Sequence, residues 1–251
     1  MLIVANWKAY GEHLDKAKRL VLLGKKLSRN GSCSIVLAPP APFLSILAAK
    51  NTSPVSFAVQ DISATSGGAT TGEMTAPMAV SGGATYAIVG HSERRARGGD
   101  TNQIVAEKLA HALAHSLIPI LCVGEREHDT EGQYLSFIRE EITSALTGLA
   151  PRDRGQVIIA YEPLWAIGKT ATNAIGAHDL AEMVLYIHKV LAELLPGKSS
   201  MQSQVLYGGS VEPGNARDLA ATSQIDGFLV GHASVDETTF PLLVRQLSSE
   251  A

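Results

Sequence analysis

The chain is poor in several things, and each shortage closes off a class of protein. Of 251 residues only two are cysteines, Cys33 and Cys122. Two cysteines make no disulfide framework, and Cys122 sits in the apolar run IPILCV as a small buried residue. A reducing, cytoplasmic setting fits this. Charged residues are only 18% and the net charge is −3, so the basic footprint of a nucleic-acid binder is missing. Any phosphate recognition must come from local geometry instead of bulk charge. No apolar run approaches membrane-spanning length, so no membrane partner is expected. The opening MLIVANWKAY has too short an apolar stretch before Asn6 for a signal-peptide core. Low-complexity stretches and interdomain linkers are lacking as well.

What the chain has is a large apolar content, 45%, at a length usual for one (β/α)8 barrel. Short apolar runs recur at 2–6, 34–39, 56–61, 86–90, 118–124, 156–162, 204–209 and 226–231. They are continuous, as parallel strands covered on both faces should be. Helical patterns separate them. Leu20, Leu23 and Leu27 share one face of the first, and Ile104, Val105, Leu109 and Leu113 of the fourth. Asp100, with Gln103 three residues on, reads as the fourth helix's cap. Leu180, Met183, Val184, Ile187, Val190, Leu191 and Leu194 stripe the sixth. Alternating strands and helices mean a barrel or a doubly wound sheet. No G-x-G-x-x-G follows the first strand, so the expectation is one (β/α)8 barrel domain over residues 1–251, eight parallel strands inside a ring of helices.

Active sites of such barrels lie at the carboxyl ends of the strands. Those ends supply Asn6 and Lys8, Gln60 and Asp61, His91 and Glu93, Glu125, Glu162, Gly208 to Ser210, and Gly231. The glycine-bearing ends follow the seventh and eighth strands, where barrels often seat a phosphate. The bland readings weaken in company. Glu162 alone would be a solvated cap, Lys8 a surface lysine and His91 a core histidine. GKT at 168–170 ends like a P-loop, but Pro163 stands where that motif needs glycine. His111 and His115, four apart, lack the glutamate of H-E-x-x-H and read as a solvated pair, so no metal is expected.

NWK, TGEMTA, VGHSERR, CVGE, YEPLWAIGKTAT, YGGSVEPGN and DGFLVGHAS stand in order along nearly the whole chain. Together they resemble the triosephosphate isomerase family, and so its TIM barrel. The resemblance implies interconversion of dihydroxyacetone phosphate and D-glyceraldehyde 3-phosphate through an enediolate, with no cofactor. It implies Glu162 as the proton shuttle and His91 as the group that polarises the carbonyl oxygen. His91 opens the turn HSERRAR, with Ser92 as its candidate cap, and the positive end of a short helix there would keep the imidazole a neutral donor. Lys8 and Asn6 would favour the charge developing on the substrate oxygens. Backbone N–H groups near Gly168, Ser210, Gly231 and His232 would hold the phosphate. Pro163 and Trp165 would stiffen the first hinge of a lid that continues through Ala166, Ile167 and Lys169. Glu125 would partner Trp165, Tyr207 and Ser210 would latch the closed lid, and Glu93 and Cys122 would support the site. The loop 67–76 would enter a partner subunit in a homodimer. There Thr71 would reach the partner's active site, Gly72 would share the loop tip, and Glu73 would meet Arg94 across the interface.

Three departures stand out. Ala9-Tyr10 replaces the family's usual Met-Asn, in what would be the pocket receiving the partner's loop. His232 replaces the second of two common glycines. The lid is two residues short before Lys169. Either its tip is short, or Lys169 and Thr170 form the tip and the second hinge lies further on. The rival functions are a Schiff-base aldolase using Lys8 and a non-catalytic scaffold of the same fold.

Overall fold

The structure is a computed structural model that describes residues 1–168, 174–195 and 203–248. Eight strands close into a barrel in chain order, every neighbour parallel. They are β1 Leu2–Asn6, β2 Ser34–Ala38, β3 Ser56–Val59, β4 Tyr86–Val89, β5 Ile118–Val123, β6 Ile158–Tyr161, β7 Val205–Tyr207 and β8 Gly227–Val230. Each lies within one of the apolar runs. All but β1 stop a residue or two before the run ends, because the chain must leave the ladder to turn outward at the rim. Around them lie α1 Leu14–Asn30, α2 Ala41–Ala48, α3 Ala76–Ser81, α4 Asn102–Ala114 and α5 Gln133–Thr147. The short α6 Pro151–Arg154, then α7 Ala177–Leu194, α8 Ala216–Ser223 and α9 Thr239–Ser248 complete the ring.

Side chains alternate across each strand, and the period of two sorts them into two cores. Inward residues such as Val4, Val36, Ala58, Ile88, Cys122, Ala160, Leu206 and Leu229 fill the barrel. Their neighbours Ile3, Leu37, Phe57, Val123, Tyr161 and Phe228 pack outward on the helices. Fully burying one aliphatic side chain stabilises such a core by about 1.5–3 kcal/mol. One further step of two from the inward set reaches Asn6, Gln60, Gly90, Gly124, Glu162, Gly208 and Gly231. The alternation itself therefore delivers Asn6 and Glu162 to the mouth of the barrel. Glycine at 208 leaves room for the carboxylate, since a Cβ there would lie 2.7 Å from Glu162 Cγ.

The helix stripes pack as expected, with Leu20, Val105, Leu109, Leu180, Ile187 and Leu191 buried. The cap of α4 is corrected. Thr101, not Asp100, is the cap, its hydroxyl accepting the Ile104 N–H at 3.3 Å. Asp100 is instead buried and accepts from Lys108 at 2.7 Å. Lys108 also donates to Asp61, at 2.8 Å, so its charge on the inner face of α4 is compensated.

Candidate active site

At the carboxyl rim, Asn6, Lys8, His91 and Glu162 share one cavity of about 700 Å³ with Gly168, Ser210, Gly231 and His232. Glu162 is 2% exposed and His91 6%. Glu162 Oε1 lies 3.2 Å from His91 Nε2, and Glu162 Oε2 accepts the Ser92 N–H at 3.2 Å. His91 Nδ1 accepts the Glu93 N–H at 3.2 Å. That bond leaves Nε2 as the nitrogen carrying the proton of a neutral ring. The expected Ser92 cap is thus corrected. The His91 side chain takes the free N–H at the start of this turn, and its carbonyl accepts from Arg94 and Arg95. The turn continues as a π-helical segment, Arg94–Gly98.

Lys8 Nζ donates to Glu93 Oε1 at 2.8 Å. Burial alone would push the Glu93 carboxyl up. The Lys8 hydrogen bond and charge, aided by His91 and Arg97, hold it below the usual carboxylate range. Lys8 has φ 47°, a left-handed conformation that non-glycine residues rarely adopt. Two side chains brace it. Asn6 Oδ1 accepts the Lys8 N–H at 3.1 Å, and Gln60 Nε2 donates to the Lys8 carbonyl at 2.9 Å. From sequence, Gln60 is marked only by its place at a strand end. Its signal was its inward register after Ala58.

The residues expected to form a lid divide. The Trp165 indole N–H donates to Glu125 Oε1 at 2.7 Å, and the Tyr161 hydroxyl reaches the same oxygen at 2.8 Å. Pro163 leads into a 3₁₀ turn, Leu164–Ala166, that carries Trp165. Ser210 Oγ donates to the Ala166 carbonyl at 3.0 Å. Ile167 and Gly168 line the cavity, Gly168 at φ 73°. Lys169, Thr170 and the choice of lid register lie outside the described residues. Tyr207 points outward from β7 and is buried, which pushes its phenol up against the opposing effect of the Ser210 N–H. Cys122 lies inside the barrel, where burial and then the Glu162 charge push its thiol well up and leave it inert.

Thr71, Gly72 and Glu73 are exposed on the loop before α3. Within the chain Arg94 Nε pairs with Asp61 Oδ2 at 2.8 Å. A depression of about 500 Å³ beside Gly72, Glu73 and Arg94 also opens on Lys8 and His91. Within the chain Tyr10 lines the 700 Å³ cavity, beside His232 of the loop after β8.

Sequence reasoning missed a buried strut behind the site. Arg95 Nε donates to the Gly90 carbonyl at 2.9 Å, next to His91, and lies 3.4 Å from Glu141 Oε1. Glu141 Oε2 accepts the Gly124 N–H at 2.9 Å, beside the Glu162 backbone. The pair ties the ends of β4 and β5, and no local motif announces a contact between a turn and α5. Burial pushes the Glu141 carboxyl up to about 7, with the Glu162 and Glu125 charges adding and Arg95 and the Gly124 N–H opposing. Between the ordinary carboxylate pKa of 4.5 and about 7 the folded chain keeps a proton that the unfolded chain has released. This group's contribution to stability therefore falls as pH rises through that window, by at most ~3 kcal/mol. Glu141→Gln removes the slope, so urea melts at several pH values should show the parent losing ground to the variant between pH 4.5 and 7. Parallel pH profiles would contradict this protonation state.

The sequence model of one family, Triosephosphate isomerase, matches residues 1–247. Curated relatives of that name include one from Chloroflexus aurantiacus, 39% identical over 97% of this chain and 98% of its own. Another, from Moorella thermoacetica, is 38% identical over 97% of both chains. A third, from Herminiimonas arsenicoxydans, is 37% identical over 97% of this chain and 98% of its own.

Proposed function

The chain belongs to the triosephosphate isomerase family and is an isomerase that interconverts dihydroxyacetone phosphate and D-glyceraldehyde 3-phosphate; from that premise we propose that Glu162, His91, Lys8 and Asn6 carry the reaction. The supporting observation is the contact of Glu162 with His91 on the wall of a cavity that Lys8 also enters. Glu162 takes the proton from the carbon beside the carbonyl. The C–H electron pair becomes the enediolate double bond, and the carbonyl oxygen gains the charge. His91 Nε2–H meets that oxygen, and Lys8 and Asn6 favour its charge. Glu162 then returns the proton to the neighbouring carbon, while the hydroxyl proton passes from one enediolate oxygen to the other through His91, so that the old carbonyl oxygen becomes a hydroxyl and the old hydroxyl oxygen the new carbonyl. In the resting site both carboxylate oxygens are occupied, by His91 and by the Ser92 N–H. Substrate must replace at least one of these contacts before a carbon proton can be taken.

Backbone N–H groups at Gly168, Ser210, Gly231 and His232 hold the phosphate in this reading. The lid from Pro163 excludes water and protects the enediolate from losing phosphate. Tyr207 and Ser210 latch it. A coupled isomerase assay on the purified protein is the direct test. Borohydride treatment with substrate should leave no adduct on Lys8, and an adduct would favour the aldolase reading.

No helix of the described residues is long and apolar enough to cross a membrane. We place the enzyme in the cytoplasm as a two-fold homodimer. The loop around Thr71, Gly72 and Glu73 exposes little apolar side chain of its own and enters the partner, where Glu73 meets Arg94. Sedimentation equilibrium should give about twice 26.5 kDa. Deleting residues 68–72 should yield a monomer of weak activity. A fully active strict monomer would sink the assembly.

A further inference from the structure

Two of the departures from the family pattern meet at the mouth of the cavity. Tyr10 follows β1 and His232 follows β8. These strands pair in register from Leu2↔Gly227 to Ala5↔Val230, so the loops beyond them leave the barrel side by side. The Tyr10 and His232 rings lie edge to face, centroids 5.3 Å apart and planes at 79°. Aromatic rings favour this geometry, which restrains an otherwise mobile exposed side chain. Both residues line the substrate cavity. No hydrogen bond joins the His232 ring to any described residue, so its N–H donor is uncommitted.

The charges nearby give that donor a purpose. Among the described residues that line the cavity Lys8 is the strong cation, and Glu93 engages it. His91 is engaged by Glu162. Glu212 and Asp236 line the same cavity and oppose an incoming anion. Asp236 is ionised at neutral pH. The Thr238 hydroxyl, with the backbone N–H groups of Thr239 and Thr238, holds its carboxyl well below the usual range. Backbone donors alone would have to offset both acids.

We propose that the His232 side chain, braced by Tyr10, donates directly to the phosphate group of the substrate and helps set the preference for a phosphorylated triose. The proposal rests on the isomerase reading and adds a side chain to a phosphate end otherwise built from backbone. A hydrogen bond to a charged group is commonly worth about a factor of ten or more in affinity.

The test compares the full-length parent with His232→Ala, His232→Gln and Tyr10→Ala. Calorimetry gives the affinities for 2-phosphoglycolate and for glycolate, which lacks the phosphate. The coupled assay gives kcat and KM. His232→Ala should weaken 2-phosphoglycolate about tenfold and raise KM by a similar factor. The affinity ratio of 2-phosphoglycolate to glycolate should fall by the same factor, and kcat should change less than KM. Gln, which keeps an N–H donor, should recover part of the loss. Tyr10→Ala should lose less, about threefold. Two results would overturn the proposal: 2-phosphoglycolate affinity within about twofold of the parent, or equal losses for both ligands, which mark a disordered loop. A parent with no isomerase activity would refute the functional reading alone, since the binding ratio still reports on His232.

Discussion

Glu162→Gln should lower kcat by at least about 10²–10⁴, the scale of general acid–base catalysis, while leaving the barrel folded and 2-phosphoglycolate bound. The substitution is nearly isosteric at a residue only 2% exposed, so it opens no cavity. It removes the oxygen that can receive a carbon proton. It also leaves one acceptor where two donors converge, His91 Nε2–H and Ser92 N–H, each at 3.2 Å. One contact becomes a donor facing a donor, so a small loss of stability should accompany the large loss of rate. The coupled assay, a thermal melt and calorimetry with the inhibitor separate these effects. A variant within about tenfold of the parent would show that another group moves the proton.

Gly124→Ala should be comparably damaging for a different reason. A Cβ at 124 would lie 1.8 Å from the Glu162 carbonyl oxygen and 2.5 Å from its carbon. Both are backbone atoms and cannot swing away. The Glu162 N–H is bonded to the Val123 carbonyl at 2.8 Å, and the Gly124 N–H to buried Glu141 at 2.9 Å. A methyl group must therefore part the ends of β5 and β6 and displace Glu162 from His91. Overpacking of this kind costs about 3 kcal/mol. A displacement of the base approaching 1 Å costs about 10² in rate. Gly148→Ala is the matched control, because it closes α5 at φ −71° with nothing within 4 Å of the added carbon. Parent-like melting and turnover in Gly124→Ala would mean that the rim yields more easily than its hydrogen bonds suggest.

Both predictions turn on a rim only partly legible in the chain. Glu162 could be singled out because a carboxylate ends a continuous apolar run, and His91 and Lys8 because they end two others. Arg95, Glu141 and Tyr161 carry no such mark. Arg95 lies in a basic turn that reads as a solvated face, and Glu141 follows another glutamate on an amphipathic helix. Tyr161 reads as one more apolar residue of β6, yet its hydroxyl shares Glu125 with Trp165. The caps misled because neighbouring residues compete for the same backbone N–H. At α4, Thr101 takes the cap and frees Asp100 to hold Lys108.

The eight strands, the helices between them and the polar residues at the strand ends could all be read from the chain alone. These are local quantities, written in hydrophobic period and in the residues that interrupt it. Which of those ends meet is a property of the closed barrel. His91 and Glu162 lie 71 positions apart in the chain, yet stand 3.2 Å apart in space. Lys8 reaches Glu93, and Tyr10 reaches His232, because closing the barrel sets β1 between β2 and β8 and fixes the tilt of every rim loop. A pattern read over a dozen residues holds no information about such distances. They follow from barrel closure, from the inward register of each strand, and from the glycines at 124 and 208 that leave the Glu162 side chain and backbone their space.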